Sequence, residues 1–242
     1  MKAILRGPSG HGSVPIRGGA MAKLSRLLQK LDKRRLPVHI TPVARQMIKA
    51  MTSALPFPSS LILDQLLNPM LTDQVLKLLG NKARAVAPLF HNTVSATVVE
   101  GGEKINVIPS EIILKLDGRL LPGYTPDNMM TELRQVIGDD VELELLMYEP
   151  GPADQDMGLF DTLAGILLQA DPGAIPFPLL ISASTDARHF SRLGIQTYGF
   201  TPMNLPEDFN FFETIHGVNE RIPAEAVDFG TSAVYKALQL YQ

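Results

Sequence analysis

The sequence predicts an α+β protein in which a sheet packed with two helices is followed by a shorter α/β region. Apolar residues alternate with polar ones over 93–99 and again over 112–116, which is the pattern of half-buried strands. Over 24–31 and 126–137 the apolar residues recur at helical spacing instead. The Pro- and Gly-rich segment 149–152 then predicts a linker between the two regions.

The first region contains its elements in the order strand, helix, strand, strand, helix, strand, which is that of a split βαβ, ferredoxin-like sandwich. The expected strands cover 2–6, 93–99, 112–119 and 141–147, and the expected helices cover 24–31 and 126–137. A helical stretch interrupted by Pro56, Pro58 and Pro69 is inserted after the first helix, over 41–87. Residues 1–148 are therefore expected to form one domain.

Residues 149–242 are expected to form part of a larger α/β domain with a parallel sheet. Helices are predicted near 160–168 and over 223–242, the second with Val227, Val234 and Leu238 facing inward. Short apolar runs at 179–181 and 197–200 predict buried strands. Because few strands are present, we expect apolar surface here to be exposed or covered by a partner.

The composition excludes several kinds of site. The 242 residues are 45% hydrophobic and 19% charged, as in ordinary soluble globular proteins. A net charge of -3 provides no basic surface for nucleic acid or for a membrane, and no apolar run is long enough to cross a bilayer. Because cysteine is absent, disulfides, thiolate zinc sites and cysteine nucleophiles are excluded, which fits a cytoplasmic location.

His11 lies in the first segment that could carry chemistry, with a glycine on each side. Glycines let the backbone present an imidazole on a tight turn, where it could donate a hydrogen bond to a developing oxyanion. Ser13, two residues further on, could instead act as a nucleophile with His11 as its base. An incidental surface turn is an equally consistent interpretation of this segment taken alone.

Asn106 and Arg119 form the second candidate, around the predicted second and third strands. An amide and a guanidinium at neighbouring positions of a sheet could bind a carboxylate, because arginine presents a planar pair of donors. The alternative is purely structural, with Asn106 capping a turn and Arg119 paired with Asp117.

The third candidate is a loop of small and polar residues over 182–190 that follows an apolar run. Ligands of α/β sheets bind at the carboxyl ends of strands, where this loop is expected. Ser184 lies near Asp186 and His189, and it is therefore a second candidate nucleophile.

The fourth candidate is His216, in the segment that runs from Glu213 to Pro223. A zinc-bound imidazole must be held in one tautomer, and an acidic neighbour such as Glu220 can do this. A surface histidine near a glutamate is the alternative. His39 and His91 are expected to be surface or capping residues rather than ligands.

Together, in this order and spacing, the four segments resemble the zinc aminoacylase and carboxypeptidase family over essentially the whole chain. The helical insertion and the run 198–202 resemble its carboxypeptidase S-like branch. The resemblance implies a ferredoxin-like lid and dimerisation domain over 1–148, then the C-terminal part of an α/β zinc-exopeptidase catalytic domain over 149–242. It also implies a homodimer formed through the lid, and hydrolysis of an amide bond next to a free carboxylate, in an N-acyl amino acid or a peptide.

The resemblance implies a role for each site residue. His11 matches the lid histidine that stabilises the tetrahedral intermediate in the partner subunit's active site, and His216 matches a ligand of one zinc. The residues that match the family's substrate contacts and pocket border are Asn106, Arg119, Thr185, Asp186 and Arg188.

The chain departs from the family at the metal site. It contains no His-x-Asp and no Glu-Glu pair, which supply most of the family's ligands and its general base. Catalytic zinc normally has three protein ligands. Zinc is thus expected from the family but is not expected to be held stably by this chain alone, and activity alone is expected to be weak or absent. A separate chain could carry the missing half. Two alternatives remain, a non-catalytic dimerisation or binding module and a metal-independent serine esterase that uses Ser13 or Ser184.

Overall fold

The computed structural model describes residues 1–80, 83, 86–151, 157–181, 185–215 and 217–241. Its strands are β1 (Lys2–Arg6), β2 (Gly10–His11), β3 (Thr93–Glu100), β4 (Val107–Ile108), β5 (Glu111–Arg119) and β6 (Glu142–Glu144). Its helices are α1 (Ala20–Lys33), α2 (Pro42–Ser53), α3 (Ser59–Asp64), α4 (Thr72–Leu79), α5 (Pro126–Ile137), α6 (Phe160–Ala170), α7 (Ala187–Ser191), α8 (Phe211–Thr214) and α9 (Ala224–Leu240).

Four strands form an antiparallel sheet in the order β3-β5-β1-β6. Alternate residues of the central strands, such as Leu5, Ile112 and Leu114, are buried against α1 and α5, which cover one face of the sheet. Leu27 of α1 and Leu133 of α5 belong to this same core. The α+β class and the predicted strand–helix–strand–strand–helix–strand order are therefore confirmed. A turn follows β3, with positive φ angles at Gly101 and Gly102.

The segment between α1 and β3 forms a helical layer with its own core. Thr41 begins α2 by accepting a hydrogen bond from the Ala44 amide at 3.2 Å, a favourable N-cap arrangement. Met47 and Ile48 of α2 are buried with Leu66 and Phe90, so methionine fills core space here. Side chains from beyond the linker, Phe177 and Leu180, pack against the same cluster.

A polar network joins the inserted helices to the sheet domain. The amide nitrogen of Asn92 donates to both carboxylate oxygens of Glu132 on α5, at 3.1 and 3.0 Å. The Asn92 oxygen accepts from the Leu121 amide at 2.8 Å, and His39 Nε2 lies 2.8 Å from Glu132 Oε1. Because Asn92 and Glu132 are both buried, these contacts replace hydrogen bonds to water that neither side chain can make.

The expectation that His39 and His91 are surface or capping residues is wrong. His39 is half-buried in the network around Glu132, and His91 is only 3% exposed. Its Nδ1 donates to the Leu36 carbonyl oxygen at 2.7 Å, and its Nε2 lies 3.4 Å from Asp73 Oδ1. Both rings are held by residues distant in sequence, which a local pattern does not reveal.

Tyr124 lies against this network, with its ring centroid 4.2 Å from that of His39. Burial, and secondarily the charge of Glu132, raises the pKa of Tyr124 above the ordinary tyrosine value of 10.0. The folded protein therefore holds the phenolic proton more tightly than the unfolded chain. The resulting stabilisation is complete below about pH 10 and is lost as the pH rises through the folded-state pKa.

We expect an alkaline absorbance titration to contain a step above the ordinary tyrosine pKa of 10.0, contributed by Tyr124. Tyr124→Phe should remove this step, whereas Tyr235→Phe, which changes an exposed tyrosine, should retain it. A titration in which this step is unchanged in Tyr124→Phe would contradict the assignment.

The last strand of the sheet is shorter than predicted. β6 pairs with β1 only from Lys2 to Ile4, so it ends at Glu144. Leu145 and Met147, predicted to continue it inward, are exposed. The physical reason is that a strand needs a neighbouring strand for its backbone hydrogen bonds. For β6, the pairing with β1 covers only three residues.

Residues beyond the linker differ most from prediction. In their described parts, 149–151, 157–181, 185–215 and 217–241, there is no strand at 179–181, at 197–200 or elsewhere. Leu179 is 58% exposed instead of buried. Val227, Val234 and Leu238 of α9, predicted to face inward, are also largely exposed. A parallel strand must pair with a neighbour to satisfy its backbone, and the described residues here provide none.

None of the described helices combines the length and the apolar character that crossing a membrane would require.

Candidate functional site

The His11 loop is tied to the end of the central sheet at its base. Arg6, the last residue of β1, forms ion pairs with Glu111 of β5 and Glu142 of β6. The hydrogen bond with Glu142, followed by the charges of both carboxylates, raises the pKa of Arg6. The Gly7 amide then donates to the Ser110 carbonyl oxygen at 2.8 Å. These contacts fix the point from which the loop leaves the sheet.

The loop brings His11 next to the Asn106 segment. β2 and β4 form a two-stranded antiparallel ladder in which His11 is opposite Val107, and the Gly12 amide donates to the Asn106 carbonyl oxygen at 2.8 Å. A Cβ atom at Gly12 would approach the same oxygen to 3.3 Å. Glycine at this position therefore permits a close approach between the two backbone segments. From the sequence alone, a tight turn was the expected reason for this glycine.

The imidazole of His11 is exposed and contacts Ser13. Its Nδ1 lies 2.7 Å from the Ser13 hydroxyl oxygen, and the Ser13 backbone amide donates to the same nitrogen at 3.2 Å. The two residues that the sequence pairs as a possible base and nucleophile are thus within hydrogen-bond distance.

Arg119 lies away from this group in the single chain. It is at the far end of β5, opposite Thr93, whereas Asn106 precedes the near end. At about 3.3 Å per residue, β5 separates the two by roughly 25 Å. Both Nε and Nη2 of Arg119 donate to Asp117, at 3.2 and 2.8 Å. The predicted neighbouring carboxylate clamp is therefore wrong within one chain, and the structural alternative describes the contact.

Thr185 and Asp186 directly precede the short helix α7, and Arg188 is its second residue. The Thr185 carbonyl oxygen accepts from the Arg188 amide at 3.2 Å, and Thr185 and Asp186 are exposed. The Arg188 guanidinium makes an ion pair with Glu149 at 2.7 Å, so the loop is joined to the linker. The structure does not bring this group to His11.

The remaining two candidates, His216 and Ser184, lie outside the described residues. Beside the His216 segment is an open hollow of about 450 Å³ that the sequence pattern did not indicate. Arg221 lies over the ring of Phe209, with its guanidinium carbon 5.7 Å from the ring centroid. The other residues that line the hollow are Asp208, Asn210, Thr214, Gly217, Val218 and Asn219. Among the described residues that line it, Arg221 and several polar side chains could contact a small polar molecule. Most of these residues lie in loops, which lack the periodicity by which sequence patterns are recognised.

The residues that the structure describes do not form a zinc site of the kind that the resemblance implies. Among those that the structure describes, no three or more histidine, aspartate or glutamate side chains are grouped so that they could hold an ion. The histidine–carboxylate contacts among the described residues are isolated pairs, His39 with Glu132 and His91 with Asp73.

Comparison with known proteins identifies the chain's relatives. The human N-fatty-acyl-amino acid synthase/hydrolase PM20D1 is 25% identical over 242 residues, which cover 96% of this chain and 46% of that protein. The probable carboxypeptidase S-like 2 of Dictyostelium discoideum is 25% identical over 217 residues, covering 88% and 41%. The crystal structure of the M20 family metallo-carboxypeptidase Sso-CP2 from Sulfolobus solfataricus aligns with a TM-score of 0.45 and 16% identity, over 80% of this chain and 54% of that one.

The chain spans about half the length of the curated relatives that it matches, with 46% of human PM20D1 as one example. Residues 1–142 match the family model that describes the M20 peptidase dimerisation domain. These residues contain the whole antiparallel sheet except the last two residues of β6, both of its covering helices and the His11 loop. The resemblance to the zinc aminoacylase and carboxypeptidase family is thereby confirmed, and the chain belongs to the M20 peptidase dimerisation domain family.

Proposed function

We propose that the chain contributes a dimerising lid and the C-terminal part of a catalytic domain to a hydrolase of the zinc aminoacylase and carboxypeptidase type. The lid would consist of residues 1–148 and the catalytic part of residues 149–242. The substrate would contain an amide bond next to a free carboxylate, as in an N-acyl amino acid or a peptide. The observation that carries this proposal is the match of residues 1–142 to the peptidase dimerisation domain, together with the names of the relatives.

The proposed homodimer forms through the outer edge of β3. The sheet has two edge strands, and β6 is only three residues long with acidic side chains at both ends, features that oppose edge pairing. β3 is eight residues long, and its Val98 and Val99 are exposed. A long edge with exposed apolar side chains favours pairing with a second strand.

His11 lies at the end of the sheet where β3 finishes. Glu100, the last residue of β3, is opposite Ile113, and the Gly7 amide bonds to Ser110 just before β5. A partner chain paired along β3 would therefore pass near the His11 loop. We propose that His11 donates a hydrogen bond to the oxyanion that forms at the partner's scissile carbonyl, which stabilises the transition state. Asn106, Arg119, Thr185, Asp186 and Arg188 would contact substrate in the assembled protein, with His216 as a metal ligand.

The test is hydrolysis of short- and long-chain N-acyl amino acids by the purified chain, with and without a chelator, and with metal content determined on the same sample. We expect no chelator-sensitive turnover from the chain alone, because the described residues provide no metal centre. Chelator-sensitive turnover with stoichiometric bound metal would show that expectation to be wrong.

A serine esterase is the second candidate function, and the 2.7 Å contact between His11 Nδ1 and Ser13 Oγ is the observation that favours it. It predicts turnover of short acyl esters that is unaffected by the chelator and lost in Ser13→Ala. Absence of both kinds of turnover in a protein that still dimerises would be the result expected for a lid-bearing part of a larger enzyme.

A further inference from the structure

We propose that Ser13 is a positioning residue that holds His11 in the tautomer with its proton on Nε2. The inference rests on the proposed function, in which His11 donates to an oxyanion across the dimer. It gives Ser13 a role in that reaction through His11, different from that of a nucleophile.

The tautomer follows from which groups can donate. The Ser13 backbone amide lies 3.2 Å from His11 Nδ1, and a backbone amide can only donate. Nδ1 must therefore offer its lone pair and bear no proton. The Ser13 hydroxyl, 2.7 Å from the same nitrogen, must then also donate to it. A neutral imidazole with an unprotonated Nδ1 has its proton on Nε2.

This arrangement leaves Nε2–H for the reaction. Among the residues that the structure describes, none forms a hydrogen bond with His11 Nε2. A neutral N–H that is already oriented can donate to a carbonyl oxygen as negative charge develops on it. Because Ser13 and His11 are on one loop, held by the 2.8 Å bond from the Gly12 amide to Asn106, the hydroxyl and the ring keep their relative position.

The geometry differs from that of a nucleophilic serine. In a Ser-His-Asp triad, the serine contacts Nε2 of the histidine, and an aspartate on Nδ1 orients the ring. Here the serine contacts Nδ1, and no described residue orients the ring from Nε2. The second donor to Nδ1, the Ser13 amide, would not help to activate the hydroxyl. It does stabilise the tautomer of His11 that has its proton on Nε2.

The tautomer can be read directly, without any hydrolysis, from long-range proton–nitrogen NMR spectra of ¹⁵N-labelled chain at about pH 9, where a free imidazole is neutral. His11→Gln identifies the His11 signals among those of the five histidines. In the wild-type chain we expect the Nδ1 resonance in the unprotonated range and Nε2 in the protonated range. In Ser13→Ala, which keeps only the weaker backbone donor, the Nδ1 resonance should shift toward the averaged position of a free imidazole.

Ser13→Thr keeps a hydroxyl and should restore the wild-type nitrogen shifts, whereas Ser9→Ala, a change on the same loop, should leave them unaltered. A wild-type His11 protonated on Nδ1 would overturn the proposal, as would identical His11 shifts in the wild type and Ser13→Ala. Labelling of Ser13 by a fluorophosphonate would also overturn it, in favour of the nucleophile. These NMR measurements do not require a working active site. The tautomer of His11 can therefore be determined even if the proposed hydrolase function is wrong, and the two proposals can fail separately.

Discussion

Asn92→Ala is expected to lower the free energy of unfolding by about 2–5 kcal/mol, because it removes a buried side chain that is hydrogen-bonded to two other buried groups. The Leu121 amide would lose its acceptor and the Glu132 carboxylate would lose its amide donor. Each buried group left without a partner costs about 1–3 kcal/mol, and a charged group costs more. Urea denaturation followed by circular dichroism measures the change.

Asn204→Ala provides the matched control, since it makes the same chemical change at an exposed position. Its free energy of unfolding should remain within about 0.5 kcal/mol of the wild type. If Asn92→Ala lost less than about 1 kcal/mol, water would be replacing the amide and the network would not be acting as a buried contact.

Val99→Lys is expected to raise the dissociation constant of the proposed homodimer by about 100-fold or more. Val99 is 53% exposed on the edge strand β3, opposite Leu114 of the sheet core. An interface with two-fold symmetry contains every substitution twice, so two ammonium groups would be brought together and partly removed from water. Since each tenfold change corresponds to about 1.4 kcal/mol, a loss of about 2.7 kcal/mol is sufficient. Sedimentation across a range of protein concentrations measures the constant.

Val227→Lys is the control, because Val227 is 51% exposed and lies on α9, a helix that packs with α6 and is not part of the sheet. Its dissociation constant should equal that of the wild type, and both variants should retain wild-type circular dichroism. An unchanged constant in Val99→Lys would place the dimer interface elsewhere than β3. A wild-type chain that stays monomeric at every concentration would contradict the proposed homodimer.

The antiparallel sheet and its two helices could be predicted because their signals are local and strong. In α5, apolar residues recur at helical spacing, and the helix begins at Pro126 after the N-cap Thr125. The predicted bounds, 126–137, agree with those of α5. The apolar runs at 179–181 and 197–200 carried a weaker signal. A short apolar run predicts a strand only when a neighbour can pair with it, and sequence alone does not provide that neighbour.

The site was harder to predict, because contacts between distant residues determine it. His91 is buried through a carbonyl oxygen 55 residues away, so no local pattern could show that it is internal. Asn106 and Arg119 flank adjacent predicted elements, yet the length of β5 separates them. His11 and Ser13 were recognised because their contact is local, and only the structure shows that two donors meet at one nitrogen.

The central position of β1 affects how the chain can fold during synthesis. Of the four strands of this sheet β1 is made before the others, but it pairs with β5 on one side and with β6 on the other. One of its edges therefore stays open until residue 119 has left the ribosome, and the other until residue 144. Pairings across such long sequence separations form slowly. The helical layer over 42–79 has mostly local contacts and can form during this delay. Among the strands of this sheet, β1 therefore waits longest for its partners.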